Sequence, residues 1–599
     1  MRDPKDLILR IIFPLILVTA ALAFISPVFH DINNVGVSDW DSHFFFHAVP
    51  LRTIAEFGQF PLWNPYYCGG NAMLASPESN FLAPSFIFVL LFGEVVGVKL
   101  IIAFYAVMGF LGMYLLARVL GMKRASSLVP AVIFMTSSWF ALRISEGHSS
   151  FLPFSLMPLV AAMYVKSLEE KNWLRWAAVS SLFYAWMILG GGVYPFTVTS
   201  MFLAAFCLLS MVRTRSIKPV IALAAIVVMA FLLSAVKAIP QYEFMSSFPR
   251  KTEAVEYHSV ELLEKSLFSR NQRVVTQGED FYLKAGETKE EYHKTFWSGA
   301  RPWGWHEYGA FTGFAAFVLF AASVISIRRS WPWILISAGA LLMSLGEFSP
   351  IDIWSLLHRL PVVSSLHGSS RVMPLFIFAF AIAAGFALSR FEEAVGKKRK
   401  MAGSLLAGAV VAVVFIEMFT VSQPVLKDAF TESAPKVAKN DSFRQLVVAE
   451  PTKVNYRSFL SNTGVLNCYD TMRPPIKAVP FGTDEGRKNP GYMGEAFFAS
   501  GKGSASVTYF SPNLVVVEAD PMGKDTLVLN QNFFKGWKAD GVDAVDHWGL
   551  VGTALEPGKK QVTFRYSPAS FKVGLVISVI SFVIVGFLAL RPCRRRPAA

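Results

Sequence analysis

The sequence predicts a mostly α-helical, polytopic membrane protein with a β-sandwich-like domain outside the membrane, ahead of the last span. Three observations carry this reading. Apolar stretches near the roughly 20 residues needed to cross a bilayer recur along the chain. Of the 599 residues 53% are hydrophobic and 16% charged, with mean hydropathy +0.44, whereas a soluble chain carries about a quarter charged residues. Basic clusters fall on alternate loops, the pattern that cytoplasmic anchoring produces.

About twelve spans are drawn, near 8–27, 97–118, 126–142, 151–166, 174–190, 195–212, 218–238, 308–327, 331–346, 372–390, 402–421 and 571–590. With the N-terminus inside, the cytoplasmic loops hold Arg118/Lys123/Arg124, Lys166/Lys171/Arg175, Arg213/Arg215/Lys218, Arg328/Arg329 and Lys397/Lys398/Arg399/Lys400. The tail adds Arg591/Arg594/Arg595/Arg596, so both termini are expected in the cytosol. The net charge of +14 therefore reflects topology and does not imply nucleic-acid binding. The first span follows Arg2, Lys5 and Arg10 and resembles a signal peptide, with Ala21-Leu22-Ala23 as a cleavage site. An uncleaved span is expected, because a bundle follows. Segment 81–92 is placed as a re-entrant or interfacial helix, since a full crossing there would invert every later loop.

The chain thus divides into a bundle (1–421), an external β-rich domain (422–570) and a last span with its tail (571–599). Long external loops cover 28–96, 239–307 and 347–371. In the β-rich domain, Ser506–Tyr509, Asn513–Glu518, Thr526–Leu529 and Gln561–Tyr566 read as strands between turn signals such as Asp540-Gly541 and Pro557-Gly558. Val562, Phe564 and Tyr566 alternate with Thr563 and Arg565, as on a half-buried strand. The four cysteines have no metal or redox spacing. Cys68 and Cys468 could pair only if two external regions meet, and no bridge is expected. Cys207 is placed inside a span and Cys593 in the tail.

The candidate chemistry lies on the outer face. Ser38-Asp39-Trp40-Asp41-Ser42-His43 follows the first span. Two carboxylates two residues apart could share a divalent cation, magnesium or manganese, or one could serve as a base; a solvated turn is the plainer alternative. Trp63, Tyr66 and Tyr67, within Pro61-Leu62-Trp63-Asn64-Pro65-Tyr66-Tyr67, are expected mainly to anchor at the membrane interface, with a groove for a sugar or an isoprenoid as the alternative. Arg143, Glu146 and His148 crowd the lip of two spans. Ionisable groups there are costly unless paired or facing a wet cavity. Arg143 either pairs with Glu146, or Glu146 and His148 line a cavity with Asp39. Lys237 falls within an apolar run, with Glu243 and Arg250 beyond it; His306 and Glu307 open the next span. His367 and Arg371 precede Pro374, and Arg371, against the usual charge bias, is a candidate clamp for a lipid phosphate.

Together these elements resemble the bacterial YfhO-like membrane proteins, within the broader C-type (GT-C) polytopic glycosyltransferases. The resemblance runs through the acidic loop, Pro61-Leu62-Trp63-Asn64-Pro65-Tyr66, Glu146-Gly147-His148 and His367-Gly368-Ser369-Ser370-Arg371-Val372-Met373-Pro374. Its most specific marks are Gly536-Trp537-Lys538 and Tyr566-Ser567-Pro568 with Phe571. It implies a GT-C-like bundle in the bacterial inner membrane that moves a sugar from a polyprenyl-phosphate donor to an envelope glycan or lipid on the outer face. Asp39 then matches the catalytic base and Asp41 is the second acid of the pair; a metal requirement stays open. Arg371, Glu146, His148, Lys237, His367, His306 and Glu307 are the candidate contacts to donor and phosphate. The rival readings are a transporter or flippase of lipid-linked sugars, and a non-catalytic envelope scaffold.

Overall fold

The computed structural model describes residues 4–250, 252, 256–273, 288–297, 303–397, 399–450, 454–468 and 472–591. Lys251, Lys398, Cys593 and Arg594–Arg596 lie outside these, as does part of the 239–307 loop. Nine helical stretches among the described residues are long and apolar enough to cross a membrane, and a tenth is the pair Lys218–Leu233 and Ala235–Ser247, bent by 83°. One of the nine, Phe314–Phe348, folds back on itself. Phe317 stacks near Phe380 and Trp333 near Phe378, so both of its arms lie against the same part of Met373–Gly396. The 17-residue helix Trp173–Leu189 packs in the same bundle. The chain is a multi-pass membrane protein.

Segment 81–92 is no separate crossing. A 3-10 turn at Pro84–Phe86 and a short helical arm end at a break at Gly93, where the chain doubles back: a Cβ on Gly97 would come within 2.6 Å of the Val89 Cα before the long arm runs on to Val119. The basic clusters gather at one end of the bundle, where Ser126 donates to Glu392 and Lys123 lies 3.8 Å from Glu393. Met373–Gly396 is buried along almost its whole length, which its all-round apolar sequence requires of a central helix.

At the other end sits the β-rich domain. A five-stranded antiparallel sheet runs in the order Val542–Asp543, Trp537–Ala539, Lys560–Tyr566, Leu514–Asp520, Ser504–Ser511. A four-stranded sheet orders Val545–His547, Leu550–Leu555, Asp525–Asn532 and Ala496–Phe498. Val562, Phe564 and Tyr566 are buried as the alternation predicts, with Val562 opposite Val517 and Phe564 opposite Val515. A small parallel sheet (Thr463–Val465, Arg444–Val447, Gly482–Thr483) adjoins them.

The first long loop is built into this domain, which corrects two expectations. Trp63, Tyr66 and Tyr67 are buried in protein and do not anchor at an interface. The Trp63 ring lies 5.3 Å from Trp537 and 4.8 Å from Tyr566, and its Nε1–H donates to Gln531 at 3.0 Å. Each such ring removes about 150–250 Å² from water, and the indole N–H has the partner that burial demands. The Trp537 and Tyr566 elements singled out in the sequence are thus the receptor for the loop's own tryptophan. Cys68 and Cys468 do form a disulfide (Cα–Cα 5.3 Å), because the two external regions meet after all. Cys207 is free and buried.

A thiol count checks this arrangement. Denatured, unreduced protein should take up maleimide at two of its four cysteines, and at all four after reduction. Four labels without reductant would remove the bridge. Replacing both bridged cysteines by serine should cost about 2–4 kcal/mol in stability.

Candidate functional site

At the end of the bundle opposite the basic clusters, under the first loop, lies a cavity of 230 Å³. Asp39, His43, Glu78, His148, Arg250, His367 and Arg371 contribute charge and hydrogen-bonding capacity to its wall, beside the rings of Phe46, Tyr67, Phe151 and Tyr194. Four of the sequence candidates therefore converge here: Asp39, His148, His367 and Arg371.

Asp39 sits at the start of the helix Trp40–Ala55. Its backbone N–H donates to the Glu146 carbonyl at 3.0 Å, and the Trp40 indole donates to the Ile144 carbonyl at 2.7 Å. These bonds hook the acidic loop onto the end of the helix Ser138–Glu146. Gly147, with φ +104°, closes that helix; a side chain there would strike the Trp40 backbone nitrogen. The Glu-Gly-His string thus brings Asp39 and His148 together.

Donor chemistry then sets the tautomer of His148. Arg143 Nη1 donates to His148 Nδ1 at 2.9 Å, and arginine can only donate. The imidazole proton therefore sits on Nε2, which donates to Asp39 Oδ2 at 3.1 Å. Burial alone would raise the Asp39 pKa. The hydrogen bond donated by His148 outweighs it and holds the carboxyl below its usual range.

Arg143 is itself fixed by a buried carboxylate. Glu307 accepts from Arg143 Nη1 at 3.2 Å and Nη2 at 3.3 Å, and from Arg371 through Nε at 2.9 Å and through Nη2. Arg143 therefore pairs with Glu307, 164 residues away, and not with Glu146. Glu307 feels burial first, but the two guanidiniums drive its carboxyl well below the ordinary range. Two guanidiniums thus share one carboxylate beside the cavity. Arg371 also lies over the Tyr194 ring at 4.9 Å, and its Nη1 has no protein partner among the described residues. Arg250, on the same wall, makes no ion pair within 4 Å among the described residues. His367 Nδ1 meets Glu256 Oε2 at 2.7 Å.

The remaining candidates lie elsewhere. Asp41 does not share a site with Asp39: its two oxygens accept from the backbone N–H groups of Asn455 (2.8 Å) and Tyr456 (3.2 Å), capping the helix Asn455–Leu460. Burial raises its carboxyl to about 6 against those bonds. The pair thus fails as a shared cation site, and among the described residues no three His, Cys, Asp or Glu side chains are placed to hold a metal. Lys237 is buried with its three N–H groups on the carbonyls of Pro77, Ser79 and Ile188. It is off the cavity wall and committed to backbone, not phosphate. Glu146 and His306 lie behind the wall, 3.8 Å apart, and Glu307 is the buried counter-ion. Glu78, Arg250 and His43 were not selected from the sequence as site residues. His43 could have been, because it stands four residues after Asp39 on the same helical face.

No family model and no curated protein sequence matches the chain. Among solved structures, the arabinofuranosyltransferase AftD from Mycobacteria aligns with 75% of this chain and 31% of its own, at 16% identity and TM-score 0.44. The archaeal oligosaccharyltransferase AglB from Archaeoglobus fulgidus, bound to an inhibitory peptide and a dolichol-phosphate, aligns with 78% of this chain and 66% of its own, at 10% identity and TM-score 0.43. This chain thus spans about a third of the first protein's length and just under two thirds of the second's. Likenesses this slight assign neither a substrate nor a site residue.

Burial holds His43, His47 and His258 neutral, lowering each to about 4, and His306 to about 3. The unfolded chain protonates them near 6.5, so their contribution to stability is complete above that pH and is lost as pH falls toward 4. The midpoint of thermal unfolding in detergent should drop across this window. His47→Gln should flatten the drop, and an unchanged profile would show that His47 is not held neutral.

Proposed function

We propose that this chain is a GT-C-type membrane glycosyltransferase that moves a sugar from a polyprenyl-phosphate donor to an envelope glycan or lipid, on the face of the inner membrane away from the basic, cytosolic end. The observation that carries this reading is one cavity holding an ionised carboxylate, Asp39, together with two guanidiniums that have donors to spare, Arg250 and Arg371. A volume of 230 Å³ is small beside ligand pockets of roughly 300–1,000 Å³, and suits one sugar ring better than an oligosaccharide. The resemblance to YfhO-like proteins points the same way.

In this reading the donor phosphate lies between Arg250 and Arg371, and the acceptor hydroxyl donates to Asp39 Oδ1, since Oδ2 already accepts from His148. The acceptor oxygen attacks the anomeric carbon as its proton passes to Asp39. The bond from that carbon to the phosphate oxygen breaks, and its electron pair leaves with the phosphate. The transition state resembles an oxocarbenium ion, and a single displacement inverts the anomeric centre. A phosphate is already a good leaving group, so guanidiniums that meet its growing charge accomplish more than a general acid would. No step draws on a metal.

Asp39→Asn tests the assignment. Purified protein in nanodiscs would receive radiolabelled polyprenyl-phosphate sugars and envelope extract. Turnover should fall about 10²- to 10⁴-fold with the unfolding midpoint unchanged. Full turnover in the variant would remove Asp39 as base, and no transfer by either protein would favour the scaffold reading. Labelling of a cysteine at position 39 from the cytosolic side would overturn the orientation.

A further inference from the structure

We propose that Glu78 forms the subsite for the transferred sugar, accepting hydrogen bonds from hydroxyl groups of its ring while the two guanidiniums hold the phosphate. This inference rests on the glycosyltransferase reading above and names which wall of the cavity meets which part of the donor.

Glu78 belongs to Pro77-Glu78-Ser79, an irregular stretch whose backbone polar groups need partners. The carbonyls on both sides of Glu78 are held by one buried ammonium: Lys237 Nζ donates to Pro77 at 3.1 Å and to Ser79, with its third bond on Ile188 at 3.0 Å. The Glu78 carbonyl itself is approached by Gly191, at φ +72°, where a Cβ would come within 2.5 Å of it. Only glycine takes this φ freely and leaves room for the carbonyl, and a desolvated lysine is costly. Both hold the same short stretch of backbone, and so fix where the Glu78 side chain starts.

That side chain lines the cavity with Asp39, and makes no hydrogen bond or ion pair among the described residues. Arg250, Arg371 and His148 act on it only through longer-range charge, and burial pushes its carboxyl up. Its carboxyl is half-buried and opens onto the cavity, so it gives up part of its hydration without a described partner in return, at a cost that a small neutral residue would avoid. A ligand that donates hydrogen bonds offsets that cost. The donor's phosphate cannot do so while the carboxyl is ionised, because it carries the same charge. A sugar ring can, because neighbouring hydroxyls donate to a carboxyl in either protonation state.

The test separates the two halves of the donor. The full chain in nanodiscs is titrated with farnesyl phosphate and with farnesyl-phosphoryl glucose, mannose, galactose and arabinofuranose. Wild-type protein should bind at least one sugar-bearing ligand about tenfold or more tightly than farnesyl phosphate, as one or two charge-assisted bonds provide. Glu78→Ala should shrink that advantage to within about threefold, and leave farnesyl phosphate affinity nearly unchanged. Glu78→Gln keeps volume and hydrogen-bonding capacity, and should retain part of the advantage. An undiminished advantage in Glu78→Ala, an equal loss for both ligand types, or no advantage in the wild type would each overturn the subsite. Failure of farnesyl phosphate itself to bind the wild type would instead remove the donor reading beneath it.

Discussion

One buried carboxylate organises the far end of this bundle. Glu307 lies between Arg143 and Arg371, three charged groups almost entirely out of water. Desolvation makes such a cluster expensive, and removing one partner from a buried ion pair typically destabilises by about 3–5 kcal/mol. Everything nearby is referred to it. Arg143, held by Glu307, dictates which nitrogen of His148 carries the proton. That proton fixes Asp39. Arg371, held by the same carboxylate, is aligned along the cavity wall over Tyr194. Buried ion pairs are weak evidence for stability, but here the cluster gives the Asp39 carboxylate and the Arg371 guanidinium one common reference point.

The site also depends on parts of the chain that look unrelated. The first long loop supplies Asp39 and Glu78, yet it holds its shape through the β-rich domain: Trp63 sits between Trp537 and Tyr566, and Asn513 accepts from the Trp63 backbone N–H at 2.9 Å. Asp41 serves the same union by capping a helix of that domain. The β-rich domain therefore acts on the cavity as a scaffold for its loop, and among its described residues none places an acid or a base in the wall.

The membrane architecture is legible in the sequence because it rests on composition and charge, which are local. Apolar runs bounded by alternate basic loops leave little choice of topology. Asp39, His148 and Arg371 are legible for a related reason: an ionisable residue at the lip of a span has a high cost and calls for an explanation. What stays hidden is partnership across long separations. Nothing near Arg143 says that its carboxylate lies 164 residues on rather than three, and nothing near Lys237 says that it will grip the turn around Glu78. Asp39 and Asp41 look equivalent on paper. Two residues of helix turn one toward the cavity and the other toward the domain above, so only the three-dimensional arrangement tells the cavity-facing carboxylate from the helix cap.

The bond between Cys68 and Cys468 joins residues 400 apart in the chain. At a translation rate of roughly 5–20 residues per second, the first loop waits ~20–80 s for its partner to emerge. Its thiol and its tryptophan are unsheltered throughout that interval, and the loop over the pocket is clamped only once Cys468 and the strands that hold Trp537 and Tyr566 have been made. A chain cut short of those strands would enter the membrane with its first loop unclamped, so biogenesis makes the β-rich domain the last condition for a formed cavity.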